Sequence, residues 1–431
     1  MSRFLVDSGI KWIGSLPNTW SITTVNKIFY RRKEVNDVEN PTVLSLARDG
    51  VKIRDISTNE GQLAESYDNY HKVYKDDLMI NPMDLISGAN CSLSEVEGVI
   101  SPAYINLAKK EKIYPKYYDY FFKYQYWIKA MFIHGKGVSF NNRWTLNWET
   151  MSGYKLPLPS YDEQKKIANY LNSKCEAINN IIKDNNKEIE LIKEYKNTLM
   201  SKVVKIGIGN HKSFKKTNYD WIGDIPSEWD VYKLRFLGSF RSGLSNKKPE
   251  DFGFGYPFLT YKDVYNNFSF NKNISELVNS NEQDWNSANI KKGDVFFTGS
   301  SETIEELGFS SVCTQDIDKG TFNGFCIRFR PNNRVDMNPE YYKYFFRSNI
   351  IREFLTRNDN SVTRTNLSQG TLKNVLVLVP PINEQKEIAN YLDNKFKQLN
   401  DVIDYRKKII EKLEEYKKSL IYECVTGKRE V

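Results

Sequence analysis

The chain is written twice. Trp12-Ile13-Gly14-Ser15-Leu16-Pro17, followed by Trp20, recurs as Trp221-Ile222-Gly223-Asp224-Ile225-Pro226, followed by Trp229, at an offset of 209. Glu163-Gln164-Lys165-Lys166-Ile167-Ala168-Asn169-Tyr170-Leu171 recurs as Glu384-Gln385-Lys386-Glu387-Ile388-Ala389-Asn390-Tyr391-Leu392, at an offset of 221. From Asp162 to Val204 the second copy follows without a gap, and 19 of the 43 positions are identical. A repeat on this scale makes each copy one structural element and governs every local reading. The offset grows by 12 between the anchors, so the stretch between them has drifted in length. Its sequence has drifted further, and only scraps align, such as Arg143-Trp144-Thr145-Leu146-Asn147 with Arg364-Thr365-Asn366-Leu367-Ser368. The expected order is a divergent block (1–155), a similar segment (156–211), a second divergent block (212–375) and the similar segment again (376–431).

The similar segments read as long helices. No proline or glycine falls between Glu163 and Val204, or between Glu384 and Val425. Pro157 and Pro159, then Pro380 and Pro381, stand just upstream, where a helix begins; Gly207 and Gly209, then Gly427, stand where it stops. At alternating spacings of four and three, Ile167, Leu171, Ile178, Ile181, Ile192 and Leu199 mark a seam on the first segment. Ile388, Leu392, Leu399, Val402, Leu413 and Leu420 mark its counterpart on the second. Lys174 and Asn185, then Lys395 and Arg406, interrupt the two seams at matching places. An apolar seam leaves water by pairing, so the expectation is an antiparallel coiled coil, a rod of roughly 65 Å at about 1.5 Å per residue. The alternative is that each helix packs only on its own block. The fold class expected is α+β: two mixed α/β domains separated by two long helices.

At roughly 100–200 residues per domain, 431 residues accommodate two to four domains. With 40% apolar, 27% charged and 14% aromatic residues, the balance is that of a globular chain. No stretch reaches the ~18 uninterrupted apolar residues of a membrane span. The opening MSRFLVDSGIKW has no apolar run of secretory length. Five dispersed cysteines, Cys91, Cys175, Cys313, Cys326 and Cys424, read as reduced thiols, and the expected location is the cytoplasm. The net charge of +8, from 62 basic and 54 acidic residues, permits a nucleic-acid partner without requiring one. Within the blocks, Tyr256–Tyr261 and Asp294–Thr298 read as strands. Tyr114–Phe122 and Pro339–Phe346 read as matching short helices buried on their aromatic faces.

Catalytic motifs are missing. Asp251-Phe252-Gly253-Phe254-Gly255 has glycines but no apolar strand before it and no helix after it, so it reads as a polar loop, not a cofactor turn. Asn81-Pro82-Met83-Asp84 lacks the aromatic that a base-flipping methyltransferase stacks on its target. His71, His134 and His211 are far apart, and no Cys/His set has zinc-ligand spacing.

Two features together carry a family resemblance: Trp-Ile-Gly-x-[Leu/Ile]-Pro-x-x-Trp opening each block, and Pro-x-x-x-Glu-Gln-Lys-x-Ile-Ala-x-Tyr-Leu, Pro159 to Leu171 and Pro380 to Leu392, opening each helix. In this order the chain resembles the specificity subunit of type I restriction–modification systems, and Tyr256–Val264 is typical of that family; the first block's counterpart, Pro41-Thr42-Val43-Leu44-Ser45, is weaker. The resemblance implies a non-catalytic, sequence-specific DNA-binding subunit of bacterial or archaeal cytoplasm. Each block would be a target-recognition domain reading one half of an asymmetric, interrupted site on double-stranded DNA. The helices would space the blocks and dock two methyltransferase subunits, with two endonuclease/translocase subunits joining later. The chain itself would hold no cofactor; S-adenosylmethionine, ATP and magnesium would belong to those partners. Candidate DNA-contacting residues are loop donors: Lys52, Arg54, Lys136, Asn141, Asn142 and Arg143 in the first block, and Lys247, Lys248, Lys262, Arg364 and Asn366 in the second. Two other readings stand beside this one. One is a drifted methyltransferase with its own cofactor site, prompted by Gly253 and by Asn81-Pro82. The other is an interaction protein, a decoy of a restriction complex, using the coiled coil alone.

Overall fold

The computed structural model describes residues 3–47, 50–57, 64–83, 85, 91–110, 112–135, 145–209, 211, 213–219, 221–303, 306–332, 334–357 and 365–431, with the backbone alone at 356, 357 and 365. Contacts divide the chain into two units, Met1–Asn185 with Lys407–Val431, and Asn186–Arg406. Each unit holds one globular block and a share of two long helices, Tyr161–Ile206 and Ile382–Val425. Acidic residues open both helices, complementing the positive end of the helix dipole. Gly207 (φ 74°) and Gly427 (φ 70°) follow them in the left-handed conformation that ends a helix.

The first block is built on a four-stranded antiparallel sheet in the order Phe29–Arg31, Ile105–Lys109, Leu78–Ile80, Cys91–Leu93. The helix Pro115–Trp127 packs on it, with Tyr117, Tyr118, Phe121 and Phe122 fully buried. Two antiparallel pairs frame the block: Leu5–Asp7 with Ser15–Pro17, and Ser21–Thr24 with Lys155–Leu158. The second block has the same frame, Phe214–Lys216 with Asp224–Pro226 and Asp230–Lys233 with Leu376–Val379, in the same registers. Inside that frame the interior differs. It is a five-stranded sheet in the order Gly238–Ser242, Cys326–Pro331, Val295–Thr298, Ser310–Cys313, Ser269–Phe270, beside a three-stranded one. The aromatic helix is repeated here as Pro339–Phe345. The segment expected as a polar loop at Gly253 is the opening of a bulged strand, Phe252–Leu259. Gly253 and Gly255, at φ 91° and 99°, supply its irregularity.

Within each unit the two helices run side by side and antiparallel. In the second unit Lys196 Nζ donates to Asn400 Oδ1 at 2.6 Å and Arg406 pairs with Glu188, so one sequence climbs as the other descends. In the first, Lys417 Nζ donates to Asn179 Oδ1 at 2.9 Å, the same bond one repeat away. The seam alternates by four and three as expected, but some of its positions lie one residue further on. Cys175, Ile182, Ile189 and Lys196 are buried or half-buried, whereas Lys174, Ile181, Glu188 and Tyr195 are exposed. On the second helix Phe396 and Ile403 are buried and Val402 is exposed. Ile181 (47% exposed) and Val402 (41%) are therefore not seam residues. Apolar residues stand side by side at 181–182, 402–403 and 409–410, so the sequence pattern fits either phase; the bulk of Phe396 and Ile403 decides it. Ile167, Leu171, Ile178, Ile388, Leu392 and Leu420 are buried, and Ile192, Leu199, Leu399 and Leu413 half-buried.

Candidate nucleic-acid interface

Each block is seated on the helices by a set of buried polar contacts made twice. The second tryptophan of the repeated motif donates its indole N–H to the glutamate that opens the following helix. Trp20 Nε1 meets Glu163 Oε2 at 2.8 Å, and Trp229 Nε1 meets Glu384 Oε2 at 2.8 Å. A cation shares each carboxylate in the first unit and a histidine in the second: Arg3 on Glu163, His211 Nε2 on Glu384 at 3.1 Å. The neighbouring glutamine clamps the helix start. Gln164 Nε2 donates to Pro159 O and its Oε1 accepts from the Tyr114 amide; Gln385 does the same with Pro380 O and the Asn338 amide.

The aromatic helix then ties each block to both long helices. Tyr117 Oη donates to Val425 O at 2.7 Å, at the end of the second long helix, and Tyr341 Oη donates to Val204 O at 3.1 Å, near the end of the first. Tyr120 Oη reaches Asn172 at 2.8 Å and Tyr344 Oη reaches Asp393 at 2.6 Å. The Tyr117 and Tyr341 hydroxyls satisfy carbonyls that a helix end leaves without a donor. Burial pushes the Tyr117 and Tyr341 phenols well above their ordinary range, so they remain hydroxyl donors. The repeated motifs are thus joints of a scaffold, and what lies between them is free to differ.

The second block carries an open face of mixed polar and apolar lining. Two pockets of about 520 and 380 Å³ meet at Ser300 and Phe325. The larger is walled by the short helix Tyr261–Asn266, started by a capping box in which Thr260 and Asp263 bond each other's backbone amides. Tyr261 Oη donates to Ser300 O at 2.7 Å and Tyr265 Oη to Glu306 at 2.6 Å, fixing this helix to the opposite wall. Behind it, the Arg347 guanidinium donates to the carbonyls of Val264, Tyr265, Asn267 and Ser310, and Arg352 to those of Leu307 and Gly308. Burial among neutral acceptors lowers both guanidinium pKa values to about 10.

The structure separates the sequence candidates. Lys262 lines the larger pocket and Asn366 the smaller, so two residues a hundred positions apart come to one face. Asn366 is placed by the strand pair Thr365–Asn366 with Ser300–Ser301. Lys247 is an internal tie: its ammonium binds Asp284 at 2.8 Å and Asn279 O at 2.7 Å. Lys248 is exposed on the same loop. In the first block Lys52 is exposed on the strand Gly50–Ile53, and Arg54 is half-buried at its end. Lys136, Asn141, Asn142, Arg143 and Arg364 lie outside the described residues. Sequence reasoning did not single out Phe325 or Gln369, which complete the face in the second block. Among the described residues no cluster of His, Cys, Asp and Glu could hold a metal ion, and no helix is long and apolar enough to cross a membrane.

Comparison with known proteins agrees with this architecture. A family model described as "Type I restriction modification DNA specificity domain" matches residues 226–415. Over 376 residues the chain is 24% identical to the type I restriction enzyme MjaVIII specificity subunit of Methanocaldococcus jannaschii, spanning 84% of this chain and 82% of that one. Over 423 residues it is 22% identical to the type I restriction enzyme EcoKI specificity subunit of Escherichia coli, spanning 90% and 86%. Two solved structures share the fold. One, from work on the assembly and conformational transition of the type I R-M system, has a TM-score of 0.70 at 13% identity and covers 96% of this chain and 99% of that one. The other, the HsdS subunit from Thermoanaerobacter tengcongensis, has a TM-score of 0.50 at 13% identity and covers 96% and 98%. With scaffold joints made twice around two unlike interiors, and these relatives matched along most of their length, the chain is similar to the specificity subunits of type I restriction–modification systems.

Proposed function

We propose that the two blocks read the two halves of one interrupted, asymmetric DNA site, and that the long helices set the spacing between the halves and dock the partner subunits. The observation that carries this reading is the contrast between frame and filling. The Trp–Glu, Gln–helix and Tyr–carbonyl joints recur residue for residue, while the sheets they hold differ in strand number and order. Base edges are read by side chains, so two unlike surfaces read two unlike sequences. A fixed scaffold converts separation into a set number of unread base pairs. On the second block, Lys262 and Asn366 are the contacts this reading favours: an ammonium for a phosphate and an amide for a base edge. Two methyltransferase subunits, then two endonuclease/translocase subunits, complete the assembly. They supply S-adenosylmethionine, ATP and magnesium chemistry, and this chain contributes the address.

The test is selection of bound fragments from a randomised double-stranded DNA pool by the assembled complex. The expected result is two short, dissimilar motifs at one fixed spacing. A single contiguous motif, or no motif, contradicts the reading. Binding that weakens steeply with salt is expected alongside, since phosphate contacts release counterions.

A further inference from the structure

The second block displays an aromatic side chain whose backbone is pinned and whose ring stands in solvent. Phe325 is 66% exposed. Its amide donates to Asn323 Oδ1 at 2.8 Å, and its carbonyl accepts from the Gly299 amide at 2.7 Å. The turn that carries it is closed by Gly324 N to Leu244 O at 2.8 Å, and Leu367 N reaches Gly299 O at 2.9 Å on the other side. Four separate segments therefore hold one residue in place. Glycine is required where they cross: a Cβ on Gly299 would lie 2.8 Å from Phe325 O, and one on Gly243 2.3 Å from Phe322 O. The ring is thus presented to solvent on a backbone held by its neighbours.

The surroundings state the chemistry of the partner. Phe325 is the ridge between the two pockets. On one side stand Lys262 and Glu302, opposite charges in one pocket. On the other side stand Asn366 and Gln369. Gln369 Nε2 is held by Ser242 Oγ at 3.2 Å, which orients its amide and leaves the oxygen available to accept. Amides that accept and donate side by side match the N6/N7 edge of adenine, a carboxylate matches an exocyclic amino group, and a ring edge packs against base faces or a thymine methyl. A pinned backbone and a two-torsion ring lose little freedom on binding.

We propose that Phe325, Asn366 and Gln369 are the specificity-determining residues of the second block, contacting base edges of its half-site with Phe325 as the central apolar contact. This inference rests on the DNA-reading function proposed above. The test repeats the randomised-pool selection with the full chain in its complex, for wild type, Phe325→Ser, Phe325→Leu, Asn366→Ala and Gln369→Ala. Phe325→Ser is expected to flatten one or two positions in one half-site and to weaken binding to the wild-type site ten- to hundred-fold, with the other half-site unchanged. Phe325→Leu, which keeps an apolar contact, is expected to retain most of the affinity. Asn366→Ala and Gln369→Ala are expected to relax discrimination at single positions of the same half-site. Since Phe325 is exposed, its variants unfold at the wild-type temperature. If wild type selects a two-part site and the four variants select it equally well, this inference is overturned while DNA reading stands. If wild type selects nothing, both fall together.

Discussion

Replacing Ile403 by alanine and, separately, Val402 by alanine tests which phase of the helical seam is real. Ile403 is 7% exposed, and Val402 beside it is 41% exposed. Truncating a buried isoleucine removes its transfer energy and leaves a cavity, together about 2–5 kcal/mol. Truncating Val402 removes two methyl groups that are already partly in water, a loss below about 1 kcal/mol. About 0.5 kcal/mol of that is returned because alanine is the better helix former. The two neighbouring substitutions should thus differ by at least about 1.5 kcal/mol. In a unit of some 220 residues, Asn186–Arg406, each kcal/mol moves the melting temperature by about 2–4 °C. Ile403→Ala should lower the second unit's transition by roughly 4–20 °C, and Val402→Ala by no more than about 2 °C. Differential scanning calorimetry of the full chain reads both. Equal shifts, or a larger shift for Val402→Ala, would refute the seam described above.

The joints give further tests. Trp229→Phe removes the indole donor from the Glu384 carboxylate and should cost about 1.5–3 kcal/mol in urea unfolding; a cost below 0.5 kcal/mol would mean the contact is incidental. Tyr117→Phe and Tyr341→Phe each strip one helix-terminal carbonyl of its hydroxyl partner, at about 1–2 kcal/mol apiece, and the two costs should be alike because the contacts are repeats. All five cysteines are buried, and burial pushes the Cys313, Cys326 and Cys424 thiols up to about 12. Since the thiolate is the reactive form, a disulfide reagent at pH 8 should modify none of them quickly in the folded chain and all five in urea. A fast-reacting thiol in the native state would contradict the burial.

The scaffold was legible because duplication exposes it. Positions that recur at a constant offset, such as Trp20 and Trp229 or Glu163 and Glu384, are those whose contacts recur, and matching Tyr114–Phe122 to Pro339–Phe346 located both tyrosine clamps. The joints themselves were not legible, since Trp20 and Glu163 lie 143 residues apart and nothing local joins an indole to that carboxylate. The seam's phase was ambiguous because adjacent isoleucines satisfy either helical face, and Lys196 and Lys417, half-buried in the seam, carry no apolar signal. In the second block, Lys247 and Lys262 look alike in sequence. Only Asp284, 37 residues downstream, makes one an internal tie and leaves the other on the surface. Nothing in the sequence singles out Phe325 among 24 phenylalanines, and it is placed by the turn that Gly299 and Leu244 close around it.

Exchange of one head is the most direct test of the whole account. Residues 1–155 would be replaced by the corresponding block of a type I specificity subunit similar to this chain, with both long helices and the second block left intact, and the DNA selected by the assembled complex would be sequenced. One half of the recognised site should change to the donor's, while the remaining half and the gap between them stay as they were. A chimera that folds and assembles yet alters both halves, or neither, would show that recognition does not reside in two independent heads on a common bar.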